Sequence, residues 1–186
     1  MRIIGGKLRG TKIDTLEGMN TRPTLDRVRE SLFNIIQMEV PDSIFLDLFS
    51  GSGAVGLEAI SRGAKKAILC DSSKEAIKII QKNVAKTRTK EQTEIHHMPF
   101  ETLLRAKIKE KVDIVYIDPP YKTNYSYMAV KLLIEKNLIH KESTIIIETD
   151  EEERVKEEIR KLEIEITDTR KYGRAHLIFL KTKDKE

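Results

Sequence analysis

The chain of 186 residues has one cysteine, no tryptophan, five prolines and only 5% aromatic residues. A single cysteine excludes an internal disulfide and any Cys-x-x-Cys redox or zinc pair. Cys70 lies in the apolar run Ala67-Ile68-Leu69-Cys70 and reads as strand core rather than as a nucleophile. His96, His97, His140 and His176 fall at none of the HxxxH or HExxH spacings, so no metal site is expected. No apolar run approaches the ~18 residues that cross a bilayer. The opening Met1-Arg2-Ile3-Ile4-Gly5-Gly6 lacks the apolar core of a signal peptide. A cytoplasmic protein with no membrane partner is the expectation. Acid is missing from the first twelve residues, which carry Arg2, Lys7, Arg9 and Lys12, although the whole chain balances 34 basic against 30 acidic side chains, a net charge of +4. That basic flank is either a phosphate-contacting surface or a solvated charged edge.

The length suits one domain, able to bury roughly 70% of the surface its unfolded chain exposes. From residue 43 onward, short apolar runs alternate with amphipathic stretches. The runs Ile44–Leu48, Ala67–Cys70, Glu94–Met98, Asp113–Ile117 and Thr144–Ile147 are expected strands. Between them, Ala54–Ser61, Ser73–Lys86, Glu101–Lys109 and Tyr125–Asn137 are expected helices, and a further helix is expected near Glu152–Leu162. Continuously apolar strands such as Ile114-Val115-Tyr116-Ile117 suit a parallel sheet covered on both faces. Glu163–Arg170 and Ala175–Lys181 are separated only by a turn around Gly173, too short for a crossover, and should pair antiparallel. The fold class expected is α/β, a doubly wound and mostly parallel seven-stranded sheet closed by that hairpin. Ser72 and Glu75 suggest a capping box opening the second helix. Met1–Ile13 reads as one or two short strands, and Thr24–Gln37 as a helix with Leu25, Val28, Leu32, Ile35 and Ile36 on one face.

Two motifs carry chemistry. In Asp47-Leu48-Phe49-Ser50-Gly51-Ser52-Gly53-Ala54-Val55-Gly56 a glycine loop follows a buried strand and opens a helix. Bare backbone there lets a ligand approach closely, and Asp71, at the end of the next strand, stands where a ribose hydroxyl acceptor is expected. The spacing also matches a dinucleotide site, so a nicotinamide-dependent oxidoreductase stays open. Against it, Asp47 would face a pyrophosphate unfavourably but could bind a cationic amino acid. Asp118-Pro119-Pro120-Tyr121 is the second motif, directly after a central strand, where open α/β sheets bind ligands. The Asp118 carboxylate and Pro119 carbonyl can each accept one N–H of a conjugated amino group, leaving its lone pair aimed at an electrophile. Pro119 and Pro120 stiffen the loop, and Tyr121 offers a ring on which an extruded base can stack.

The first motif resembles motif I of the Rossmann-like class I methyltransferases, and the second resembles the D/N-P-P-Y/F/W motif of enzymes acting on adenine N6, cytosine N4 or guanine N2. Together with Met1–Gly10, Arg22–Asn34 and the Tyr172-Gly173-Arg174 turn, they make the whole chain similar to the RsmD family, which methylates guanine N2 in 16S ribosomal RNA. The resemblance implies S-adenosylmethionine as methyl donor and S-adenosylhomocysteine as product. It places Asp47, Gly51, Ser52, Gly53, Asp71 and Ser72 at the cofactor, with Arg22 and Thr24 close by. It also implies a short N-terminal hairpin (residues 1–23) beside a catalytic domain (24–186). An acid usual in such enzymes after the third strand is absent from His97-Met98-Pro99-Phe100, so the Met98 backbone and Phe100 ring are expected to meet the adenine instead. Arg2, Lys7, Arg9, Lys12, Arg27 and Arg174 are the candidate RNA contacts, with Arg29 beside them, and Arg27–Glu30 is the alternative surface pair. The partner implied is 16S ribosomal RNA, naked or within an assembling small subunit, met by a monomer. DNA adenine methylation and a catalytically dead RNA-binding module remain as other readings.

Overall fold

The computed structural model describes residues 1–18 and 23–183, with Pro23 and Thr24 described as backbone only. Seven strands, β1 (Ile44–Asp47), β2 (Lys66–Asp71), β3 (Thr93–His97), β4 (Val112–Ile117), β5 (Ile139–Thr149), β6 (Ile164–Tyr172) and β7 (Ala175–Thr182), form one sheet. Six helices are α1 (Pro23–Ile35), α2 (Ala54–Ser61), α3 (Lys74–Thr87), α4 (Phe100–Ala106), α5 (Tyr125–Glu135) and α6 (Glu152–Ile159). The sheet order is β3-β2-β1-β4-β5-β7-β6; the first five strands are parallel, and β7 runs antiparallel to both β5 and β6. This is the expected α/β class, including the C-terminal antiparallel pair.

Because successive strand residues face opposite sides, the apolar runs feed two cores. Phe45, Ala67, Leu69, Ile114, Tyr116 and Ile146 pack under α1, α2 and α3. Leu46, Ile68, Cys70, Val115, Ile117 and Ile147 pack under α4, α5 and α6. Strand order reverses at β1 and β4, so the loops leaving their carboxyl ends diverge and open a crevice, the topological switch point of such sheets.

Several boundaries differ from those expected, each for a local reason. β5 begins at Ile139, not Thr144, because Ser143 accepts from His140 N (2.9 Å) and donates to Val112 O (2.6 Å), so a polar stretch still joins the ladder. The N-cap of α3 is Ser73 rather than Ser72: its side chain accepts from Ala76 N (3.3 Å), and its hydroxyl touches the Glu75 carboxylate (3.3 Å). α5 stops at Glu135, two residues early, as Asn137 takes a left-handed φ of 53°.

Residues 1–13 double back through an antiparallel bridge between Arg2 and Lys12, supported by Ile3 N to Thr11 O (3.0 Å) and Ile13 N to Met1 O (3.0 Å). The segment is docked firmly. Ile3 and Ile13 are only 1% and 3% exposed and belong to the core beneath α1 and α2. The Glu58 carboxylate on α2 accepts from Ile4 N (2.9 Å) and Gly5 N (2.8 Å). Asn83 on α3 accepts from Asp14 N (2.7 Å) and donates to both Asp14 O and Ser52 O (2.9 Å each), which ties the segment to the glycine loop.

Candidate active site

The glycine loop is stapled before it reaches α2. Ser50 N donates to Cys70 O (2.9 Å), and the Ser50 hydroxyl accepts from Cys70 N and donates to Asp47 O (3.0 Å each). Gly51 and Gly53 have φ of 55° and 81°, which side chains disfavour. A Cβ built on Gly51 would meet nothing within 4 Å, so bare backbone faces open space. Gly56 serves packing instead, since a Cβ there would lie 2.2 Å from a Leu69 methyl. Asp71 accepts from Gly51 N (2.9 Å) and Ser73 N (2.9 Å), which holds the loop and the start of α3 around one carboxylate.

β4 brings the second motif beside the first. Asp47 is level with Tyr116 in the parallel pair, and Leu48 N donates to Tyr116 O (3.2 Å), so Asp118 emerges at the same end of the sheet as the glycine loop. A cavity of about 150 Å³ is lined by Asp47, Ser50, Gly51, Ser52, Asp118 and Glu148. A larger one, about 560 Å³, is lined by Asp118, Pro119, Pro120, Tyr121, Glu148 and Arg174. Asp118 and Glu148 thus stand on the wall common to both. Tyr121 is 77% exposed, and the carbonyl of Pro120 is held by the Thr123 hydroxyl (2.9 Å). Beneath, Phe49, Phe100 and Tyr125 form a closed aromatic triangle with centroids 5.1–6.1 Å apart.

Acids dominate the crevice, although the buried Arg29, paired with Asp26 and Glu58, also lines the smaller cavity. Asp47 is 1% exposed; burial, then the like charges of Asp71 and Glu148, push its pKa up to about 8, against partial relief from Phe49 N and Ser50. Asp118 is also raised well above the usual carboxylate range, by loss of water and then by Glu148 and Asp47. Asp118 opens onto the larger cavity. Burial raises Glu148 too, while the Tyr116 hydroxyl, which donates to its Oε2, holds it down. No lysine or arginine forms an ion pair with Asp47, Asp118 or Glu148 among the described residues.

Asp47, Gly51, Ser52 and Asp118 meet at the smaller cavity, and Arg174 joins Asp118–Tyr121 at the larger. Gly53, Asp71, Ser72, Met98 and Phe100 line neither. The Met98 N–H already donates to Asp71 O (3.1 Å) and its carbonyl accepts from the Cys70 thiol (3.2 Å), while Phe100 is 4% exposed. Arg2, Lys7, Arg9, Lys12 and Arg27 are exposed; Arg2 donates to Gly10 O (2.9 Å) and Lys7 to Gln92 (3.3 Å). Arg29 is a correction: at 5% exposure it donates to Arg2 O (2.5 Å), pairs with Asp26 and Glu58 and lines the smaller cavity, so it is not a cation of the outer surface. Among the described residues Arg27 forms no ion pair with Asp26 or Glu30; the ion pair of that helix turn is Arg29–Asp26. Arg22, and the side chain of Thr24, lie outside the described residues. Glu148, Tyr116 and Glu58 escaped the sequence reading. Only Glu148 left a signal there, an acid directly after an apolar strand and thus at the functional edge of the sheet.

A family model, conserved hypothetical protein 95, matches residues 1–181. Ribosomal RNA small subunit methyltransferase D of Haemophilus influenzae is 36% identical over 154 residues, 82% of this chain and 80% of that protein. Its Escherichia coli namesake is 34% identical over 152 residues, 82% and 76%. Among solved structures, yhhF of Escherichia coli, described as a candidate methyltransferase, superposes with a TM-score of 0.81 at 28% identity over 99% of both chains.

Proposed function

The chain belongs to the RsmD family, which the conserved hypothetical protein 95 model describes, and from that membership we propose that it is an S-adenosylmethionine-dependent methyltransferase acting on the exocyclic N2 of a guanine in small-subunit ribosomal RNA. One observation carries the reading: Asp118 borders both the cavity beside Gly51 and the cavity beside Tyr121. A donor in the first and an amine in the second would meet at its carboxylate.

The residues fit such a donor. The open face of Gly51 lets a ligand lie directly against the backbone. Asp47 and Glu148 form no ion pair with a lysine or arginine among the described residues, and a bound ammonium or sulfonium would draw them into their ionised form. Bound there, the cofactor supplies an electrophilic methyl group. Asp118 and the Pro119 carbonyl accept the two amine hydrogens and stabilise positive charge as it develops on nitrogen. Tyr121 stacks on the displaced base, and the prolines keep both acceptors aimed. Asp118, with its raised pKa, is suited to take the proton that the methylated nitrogen sheds. Rate comes mainly from positioning. Arg2, Lys7, Arg9 and Lys12 supply phosphate contacts, with Arg27 on α1 and Arg174 at the cavity mouth.

The test compares nucleosides of small-subunit rRNA from cells with and without the protein by mass spectrometry. Loss of one N2-methylguanosine supports the reading, and an unchanged nucleoside profile defeats it. Calorimetry with S-adenosylhomocysteine and with NADH separates it from an oxidoreductase, since only the former should bind.

A further inference from the structure

Resting on that reading, we infer that Glu148 is a specificity-determining residue that accepts the ring N1–H of guanine while Asp118 and Pro119 hold the neighbouring amine. Glu148 stands at the carboxyl end of β5, next to β4 in the sheet, and borders the same two cavities as Asp118. Its Oε2 is engaged by the Tyr116 hydroxyl, which fixes the carboxylate in one orientation. Its Oε1 takes no hydrogen bond among the described residues and is left as an acceptor beside the amine position. The cations on the larger cavity's wall are committed or peripheral: Arg154 is bound by Glu151 (2.6 Å) and Glu158 (3.0 Å), while Lys122 and Arg174 are exposed at its mouth.

Base chemistry makes a second anionic acceptor there selective. In adenine and cytosine, the ring nitrogen beside the exocyclic amine carries a lone pair, so a carboxylate facing it is repelled. In guanine, one ring nitrogen flanking the N2 amine is N1, which carries a hydrogen. A pair of acceptors, one for the amine and one beside it, is therefore complementary to guanine alone among the amine-bearing bases. A site that hydrogen-bonds a substrate N–H rejects the analogue lacking it strongly, because its buried acceptor is left unpaired.

The experiment uses small-subunit particles reconstituted on ligated 16S rRNA, with guanine or 2-aminopurine at the methylated position. 2-Aminopurine keeps the amine but has a lone pair at N1. Wild-type protein should methylate guanine at least about 10-fold faster in single turnover. Glu148→Gln keeps the side-chain volume and an oxygen for Tyr116, and its amide can donate to a bare N1. It should lose most of that preference by improving 2-aminopurine relative to guanine. Tyr116→Phe, which frees the Glu148 carboxylate, should reduce the preference part of the way, mainly by slowing guanine. A wild-type enzyme indifferent to the two bases, or a Glu148→Gln variant slowed equally on both with its preference intact, overturns the assignment. Absence of any methylation by wild-type protein, with guanine present, instead overturns the proposed function.

Discussion

Glu58 and Asp47 are both buried acids, at 0% and 1% exposure, yet their surroundings are opposite. Glu58 accepts from Ile4 N, Gly5 N and Arg62 Nε (2.8 Å), with Arg29 Nε 3.8 Å away. Its charge is matched, and it fastens the N-terminal segment to α2. Asp47 has a long bond from Phe49 N (3.3 Å) and slight relief from Ser50, and lies among the like charges of Asp71, Glu148 and Asp118. A buried charge surrounded by donors belongs to the architecture; one left with like charges for company is held ready for a ligand that brings the missing cation.

The contrast can be broken at either pole. The largest effect is expected from Asp118→Ala, which should lower methyl transfer at least about 10³-fold while leaving S-adenosylhomocysteine affinity within roughly threefold. Single-turnover rates and calorimetry check both halves, and a variant that turns over normally removes Asp118 from the chemistry. Glu58→Ala should strip the acceptor from Ile4 N, Gly5 N and Arg62 and leave the buried Arg29 with only the half-exposed Asp26 as counter-charge, at a cost of about 3–5 kcal/mol. At about 2–4 °C per kcal/mol for a chain of this size, that is a melting point lower by roughly 10 °C. A melting curve that does not move would mean the matched acid is dispensable.

Asp47→Asn should act in the other direction on stability. The folded pKa of about 8 lies above the ordinary 3.8, so between those values the folded state holds a proton that the unfolded chain has released. That contribution is fully present below about pH 4 and is lost as pH rises through about 8. The asparagine variant should therefore melt several degrees higher than wild type at pH 8, converge with it only as pH falls to about 4, and bind S-adenosylmethionine at least about 10-fold more weakly. Parallel melting profiles for the two proteins from pH 5 to 9 would show that Asp47 carries no stored charge. The smallest effect concerns the exposed edge. Deleting residues 1–12 would strip Ile3 from the core, with ~1.5–3 kcal/mol of apolar burial. Lys7→Glu with Arg9→Glu is the cleaner change, because both side chains are exposed. It should weaken RNA binding by several-fold and reduce the salt slope by roughly one to two counterions; an unaltered slope would place the phosphate grip elsewhere.

Much of this was legible one residue at a time. The apolar runs of β1, β2 and β4 announce themselves because both faces are buried, and the Gly51–Gly56 loop and Asp118–Tyr121 follow them at a spacing that needs no partner to interpret. The β6–β7 pair followed from a turn too short for a crossover. Less visible were elements defined by distant neighbours. The polar start of β5 depends on Ser143 reaching Val112, and Arg29 looks like any basic helix residue until Glu58 and Arg2 close over it. Glu148 gains meaning only beside Tyr116 and Asp118, which come from a different strand.

Sequence alone determined the doubly wound class, the glycine loop and the acid–proline–proline–tyrosine motif, since periodicity and local backbone chemistry are properties of adjacent residues. The tertiary structure decided which acids are matched and which are not. Charge in a protein interior is governed by what lies across a few ångströms of low-dielectric space, and the chain order of Glu58, Asp47, Asp118 and Glu148 says nothing about those neighbours.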